Sequence, residues 1–150
     1  MSNASSDLLV LGIGSPFGAD RVAWEVVDRL RGDPRYSRLR LETADRPGAG
    51  LATYLQGVRA AILFDALLSD APPGSLHRLH PAQLAPGDRT SNHGFGVADA
   101  LALGRALGIL PPRLALVGIA VAAEGEPVID LPALHAMMRE LMEEMVRPEG

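Results

Sequence analysis

Apolar and polar positions follow one another along the chain in blocks that predict strands and helices in turn. Residues 8–13 form a wholly apolar run, which is typical of a strand covered on both faces. Apolar residues then recur at spacings of three and four between Ala23 and Leu30, which predicts an amphipathic helix. The Gly-Asp-Pro sequence at residues 32–34 ends this helix. The first unit is therefore a strand followed by a helix.

The same two patterns recur through the rest of the chain. Strands are predicted at residues 39–43, 60–66, 75–79 and 114–119, and helices at residues 51–56, from about 93 to 107, and from about 132 onward. Alternating strands and helices indicate an α/β fold. We expect one domain over residues 7–150, a three-layer sandwich with a mainly parallel twisted sheet of about five strands and helices on both faces. Residues 1–6 are interpreted as an expression scar or disordered N-terminus.

The composition of the chain excludes several classes of partner and of functional site. The chain has 150 residues, of which 47% are hydrophobic, enough to bury a core. Its formal charge is −4, and its 14 basic residues are all arginines that never form a run, so we expect no nucleic-acid partner. The absence of cysteine excludes disulfides, thiol nucleophiles and thiolate metal sites. No apolar run approaches membrane-spanning length, and we expect a cytoplasmic monomer.

The turn after the first strand contains Gly12 and Gly14 and has two competing interpretations. Gly-x-Gly between a strand and a helix is half of a dinucleotide-binding fingerprint. The third glycine of that fingerprint is missing, because Phe17 stands in its place, and Asp20 would repel a pyrophosphate. The phosphate interpretation is therefore the weaker one. Phe17 and Trp24 flank the turn and are expected in the core, with contact to a substrate as the alternative for Phe17.

The other interpretation makes Asp20 the functional residue of this turn. Ligands of doubly wound sheets bind beyond the carboxyl ends of the strands, where the strand order reverses. Asp20 follows the first strand and Asp65 ends the third, and the common order makes these strands neighbours. Two carboxylates at one crevice repel each other unless a cation lies between them. His93, at the start of the long helix, adds an imidazole, so the three residues predict a divalent metal site, such as zinc or nickel.

Each of these residues also has a purely structural explanation. Asp20 is a suitable helix N-cap, Asp65 can hydrogen-bond the loop after its strand, and His93 suits an exposed helix start. Only their joint placement at one edge of the sheet favours a metal site. Glu124 and Glu126 follow the last strand on the same edge and are interpreted as solvated loop acids, with a helper role in catalysis as the alternative.

Three segments are similar to motifs of the endopeptidases that mature the large subunit of nickel–iron hydrogenases. The family's opening motif, LGIGN followed by GDDGVG, resembles residues 11–23. Its Asp-Ala at a strand end resembles residues 65–66, and its S-x-H-x-x-G-L-x-D-A-L resembles residues 91–101. The likeness extends from Leu8 to about Val146.

The resemblance implies that Asp20, Asp65 and His93, hereafter the ligand trio, bind a metal. It implies a metal-dependent endopeptidase that removes the C-terminal extension of a nickel-loaded hydrogenase large-subunit precursor. The divalent metal is then the nickel of that protein substrate, and zinc or cadmium can substitute for it. The chain has no Cys nucleophile, HExxH helix or Gly-x-Ser-x-Gly elbow, which leaves a metal that polarises the peptide carbonyl or activates water. No residue outside the ligand trio is assigned to catalysis.

The chain departs from the family's first motif. Its loop is one residue shorter than the family's. Asp20 therefore aligns with the family's ligand position only if a gap is opened in the alignment, and without that gap Arg21 aligns there. Ala19 replaces an acid, and Arg21 and Ala23 replace glycines. One alternative is therefore a non-proteolytic accessory protein of the same fold that binds a metal or the tail. A peptidyl-tRNA hydrolase is disfavoured, because it needs a His shortly after the turn and a basic face.

Overall fold

The computed structural model of the protein describes residues 8–80 and 97–147. The strands are β1 (Leu8–Gly14), β2 (Arg40–Asp45), β3 (Ala60–Leu68), β4 (Leu76–Leu79) and β5 (Arg113–Val121). The helices are α1 (Val22–Arg31), α2 (Leu51–Leu55), α3 (Val97–Leu107) and α4 (Leu131–Val146). The predicted alternation of strands and helices is confirmed. The predicted expression scar and the first residues of the predicted long helix, including His93, lie outside the described residues.

The five strands form one sheet in the order β2-β1-β3-β5-β4. β2, β1, β3 and β5 are parallel, and β4 runs antiparallel to β5 at one edge. The α/β fold class is therefore confirmed, as is the expectation that the first and third strands are neighbours. β3 lies at the centre of the sheet, and Asp65 is its last residue paired with β1. The expectation that Asp65 ends this strand is wrong, because β3 continues alongside β5 to Leu68.

Helices cover both faces of the sheet, which gives the three predicted layers. On one face α1 and α4 pack on alternate strand residues such as Leu8 and Phe64. On the other face α2 and α3 pack on the residues in between, such as Leu9 and Leu63. This alternation follows from the two-residue period of strands. The parallel strands β1, β3 and β5 are largely apolar on both faces because both faces are covered, whereas the edge strand β2 carries Arg40, Glu42 and Asp45. Within the described ranges, no helix has the length and apolarity needed to cross a membrane.

α1 approaches β1 closely, and Gly12 is the reason that it can. A Cβ atom at Gly12 would lie 2.6 Å from the carbonyl oxygen of Ala23 and 2.8 Å from Cγ2 of Val27. The helix backbone therefore occupies the space that any side chain at residue 12 would need. This contact sets where α1 begins, and with it the position of the loop that carries Asp20.

The substitution Gly12→Ala tests this packing. We expect it to lower the free energy of unfolding by about 1–3 kcal/mol, because the added methyl group meets backbone that cannot move independently. Gly50→Ala is the matched control: Gly50 has φ −67° and no atom within 4 Å of an added Cβ, so its change should stay below about 1 kcal/mol. Urea unfolding measures both. Equal stability of the two variants would contradict the close packing of α1 on β1.

Candidate metal centre

Asp65 occupies the centre of the candidate site and is almost fully buried. It is 1% exposed, and among the described residues it is the only charged one in the buried class. In the register of the sheet it lies between Ile13 of β1 and Gly118 of β5. Removing a carboxylate from water is costly unless hydrogen bonds or an opposite charge compensate it. A buried carboxylate in a central parallel strand is therefore a candidate for a functional residue.

Strand alternation places the side chain of Asp65 on the α2–α3 face of the sheet. Its neighbour two residues back, Leu63, packs in the core of that face together with Val97 and Leu101 of α3. His93 precedes the first residue of α3 by four positions in the sequence. The structure thus places Asp65 on the face of the sheet that α3 covers, while His93 itself lies outside the described residues.

Asp20 lies in a 3-10 helix, Gly18–Arg21, in the loop between β1 and α1. This helix contacts β3, the strand that carries Asp65. Asp20 is half-buried, and its backbone carbonyl accepts a hydrogen bond from the Ser15 amide at 3.3 Å. The N-cap residues are Phe17 for the 3-10 helix and Arg21 for α1, so the N-cap explanation of Asp20 is wrong. The structure therefore brings the Asp20 segment to the strand of Asp65, as the metal hypothesis requires.

Gly14 and Ser15 make this loop compact enough to hold Asp20 against the sheet. A Cβ atom at Gly14 would overlap the carbonyl oxygen of Asp20. Ser15 is buried, and its Oγ accepts a hydrogen bond from the Phe17 amide at 3.3 Å. Packing of the loop and of α1 thus accounts for both glycines of the Gly-x-Gly turn. The turn needs no bound phosphate to explain it.

Arg21, which would align with the ligand position without the gap, binds two other acids. Its Nε donates to Glu25 Oε1 at 3.0 Å, and a terminal nitrogen donates to Glu126 Oε2 at 2.7 Å. These hydrogen bonds, first that to Glu25 and then that to Glu126, raise the pKa of Arg21. The gap that assigns Asp20 to the ligand position is therefore consistent with the structure. Glu126 is an exposed loop acid, as expected, but its partner Arg21 was not predicted from the sequence.

The two aromatic residues that flank the first loop differ from expectation. Phe17 is 71% exposed, so its predicted place in the core is wrong. Trp24 is half-buried, and its indole nitrogen donates to the Ala44 carbonyl of β2 at 3.1 Å. Phe17 is thus an apolar side chain presented to solvent on the same loop as Asp20, where a protein partner can contact it.

An open groove of about 560 Å³ lies past the carboxyl ends of β3 and β5. It is lined by Leu68, Ser69, Asp70, Ala71, Pro73, Ala122 and Ala123. Its walls are about equally polar and apolar, and Leu68 is 50% exposed. Leu68 follows Asp65 by three residues on β3, so the two side chains point to opposite faces of the sheet.

The described residues contain Asp20 and Asp65 but not His93. Within this part of the chain, no group of three or more His, Cys, Asp or Glu residues is arranged to hold a metal. The completed ligand trio therefore stays a prediction. Two carboxylates and one imidazole remain a suitable donor set for a divalent ion.

No family model and no curated protein matches the chain. Several solved structures do. An endopeptidase from Escherichia coli is 27% identical, with a TM-score of 0.61, and the match covers 91% of this chain and 88% of that one. The hydrogenase maturating endopeptidase HybD from E. coli is 26% identical, with a TM-score of 0.58 and the same coverage. The hydrogenase 2 maturation peptidase from a Thaumarchaeota archaeon is 24% identical, with a TM-score of 0.58 and coverage of 92% and 97%.

These matches confirm the resemblance to the hydrogenase maturation proteases that the sequence motifs indicated. They extend over nearly the whole chain, so the shared feature is the complete α/β domain rather than a single motif. The prediction of a maturation endopeptidase, a peptide hydrolase, agrees with them.

The dinucleotide alternative has a direct test. We expect millimolar NAD⁺ or ATP to leave the melting temperature unchanged, because Gly12 and Gly14 serve packing. A nucleotide present at about 100 times its Kd would add about 2.7 kcal/mol of stability, which differential scanning fluorimetry detects easily. A melting temperature that rises with nucleotide concentration would restore the phosphate interpretation of the turn.

Proposed function

We propose that this chain, whose fold is that of the hydrogenase maturation proteases, removes the C-terminal extension of a nickel-loaded hydrogenase large-subunit precursor. The observation that carries the proposal is Asp65, a buried carboxylate in the carboxyl-terminal half of the central strand. It stands where the family motif places a metal ligand, within a fold that the proteases match over more than nine-tenths of the chain. The proposed protein acts as a cytoplasmic monomer on a protein partner.

The proposed metal ligands are Asp20, Asp65 and His93. The donor set fits a divalent ion, because carboxylate oxygens and imidazole nitrogen suit nickel, zinc and cadmium alike. The half-buried Asp20 lies on a segment in contact with β3, and Asp65 is fixed in β3 itself. We propose that the ion is the nickel of the precursor, so the metal enters the site as part of the substrate.

In this proposal the protein positions the precursor rather than attacking it with a nucleophilic side chain. Asp65 is held in the centre of the sheet and gives the nickel a fixed point of attachment. The groove bounded by Leu68 and Ala122 accepts the tail, and the exposed Phe17 contacts the body of the precursor. A divalent metal polarises a peptide carbonyl that lies beside it. Binding of the nickel by the ligand trio thereby reports that insertion is complete and brings the scissile bond to the site.

A non-proteolytic accessory protein is the second candidate, and the first loop favours it. Ala19 stands where the family has an acid, and it packs against the apolar core of the α1–α4 face. A carboxylate is therefore missing beside Asp20. Incubating the protein with a nickel-loaded precursor separates the two functions by mass spectrometry: loss of the tail indicates the protease, and retention of an intact precursor indicates the accessory protein.

Asp65→Asn tests the metal site. We expect this change to weaken Cd²⁺ binding by at least about 100-fold, because it removes the charge of a buried ligand at nearly constant shape. Asp70→Asn is the matched control, since Asp70 follows the same strand and lines the groove without belonging to the ligand trio. Isothermal titration calorimetry measures both affinities. Equal affinities of Asp65→Asn and Asp70→Asn would refute the assignment of Asp65.

His93→Ala tests the third ligand. We expect weaker Cd²⁺ binding by at least about tenfold and retention of the precursor tail, because one neutral nitrogen donor is lost. His80→Ala is the control, because His80 is an exposed histidine at the end of β4. If both variants bind Cd²⁺ and cleave the precursor like the wild type, His93 is not a ligand.

A further inference from the structure

Arg21 directly follows Asp20, so the first loop carries a permanent positive charge next to a proposed ligand of a dication. The guanidinium group stays protonated throughout the physiological pH range. A guanidinium that paired with Asp20 or Asp65 would occupy the oxygen atoms that a metal ion needs. A functional site of this composition therefore requires that Arg21 be held by other acids.

The structure provides two such acids from different parts of the chain. Glu25 lies one turn further along α1 and binds Nε of Arg21 at 3.0 Å. Glu126 lies in the loop after β5 and binds a terminal nitrogen at 2.7 Å. Because β1 and β5 flank β3, the contact between Arg21 and Glu126 joins the two loops on either side of the strand that carries Asp65.

We propose that Glu126 is a positioning residue that keeps the guanidinium of Arg21 away from Asp20 and Asp65 and so preserves both carboxylates for the metal ion. The inference rests on the proposed function, since it requires the ligand trio. When Glu126 is neutralised, Glu25 still binds Nε, but the terminal nitrogen loses its carboxylate partner. The guanidinium can then turn towards the acids of the site.

Because the ion pair between Arg21 and Glu126 is exposed, a positioning role can be distinguished experimentally from a role in stability. The side chain of Glu126 is 86% exposed and that of Arg21 is 36% exposed. Exposed ion pairs contribute little to stability, so the protein should fold normally without this contact. A loss of metal affinity in a Glu126 variant would then report the new position of Arg21 rather than unfolding.

A double-mutant cycle with Cd²⁺ as the probe tests the proposal. The full chain is titrated at low ionic strength as wild type, Glu126→Gln, Arg21→Gln and the double variant. We expect Glu126→Gln to weaken Cd²⁺ binding by about fivefold, the effect of one charge a few ångströms away in a watery site. Arg21→Gln should bind at least as tightly as wild type, and Glu126→Gln should have no further effect in that background.

Glu124→Gln is the matched control, because it removes the same charge from the same loop at an exposed position. We expect its effect to stay below about twofold, since the loss of a distant surface charge is screened. Circular dichroism confirms that all variants are folded. An equal loss of affinity in Glu124→Gln and Glu126→Gln, or the same effect of Glu126→Gln with and without Arg21, would overturn the positioning role.

The test also distinguishes this inference from the proposed function beneath it. If the wild type does not bind Cd²⁺, or Asp65→Asn binds it equally well, the ligand trio is wrong and the inference falls with it. If the wild type binds through Asp65 but none of the Arg21 and Glu126 variants changes the affinity, only the positioning role is overturned.

Discussion

The close packing of α1 and the first loop on β1 determines the position of the loop that carries Asp20. Gly12 lies against the backbone of α1, and Gly14 lies against the carbonyl of Asp20, so neither position has room for a side chain. These two contacts hold the 3-10 helix that contains Asp20 against β3. The glycines of a turn that resembles a phosphate-binding motif are thus explained by packing.

The parallel sheet provides the second constraint. Its central strands are buried on both faces, so their residues are almost all apolar. Asp65 is the exception: it interrupts the apolar run of β3 and is 1% exposed, between a residue of β1 and a residue of β5. The charges around it are distributed so that Arg21 pairs with the more exposed Glu25 and Glu126. The arginine of the first loop is therefore paired with acids other than the buried Asp65.

The sequence predicted most of the fold because the relevant signals are local. The apolar run at residues 8–13 and the helical spacing from Ala23 to Leu30 reflect the face that each element buries. Asp65 was identifiable because a charge interrupts an apolar strand. Phe17 was misplaced because apolar character alone does not decide burial when a short loop directs the side chain outward. The contact between Arg21 and Glu126 left no signal, since the residues are 105 positions apart and neither belongs to a periodic pattern.

A crystal structure of the protein with Cd²⁺, phased on the anomalous signal of the metal, most directly tests whether one cation joins three distant parts of this chain. We expect a single strong anomalous peak within coordination distance of carboxylate oxygens of Asp20 and Asp65 and an imidazole nitrogen of His93. A peak that lies elsewhere, or a site in which the guanidinium of Arg21 takes the place of the ion beside Asp65, would contradict it.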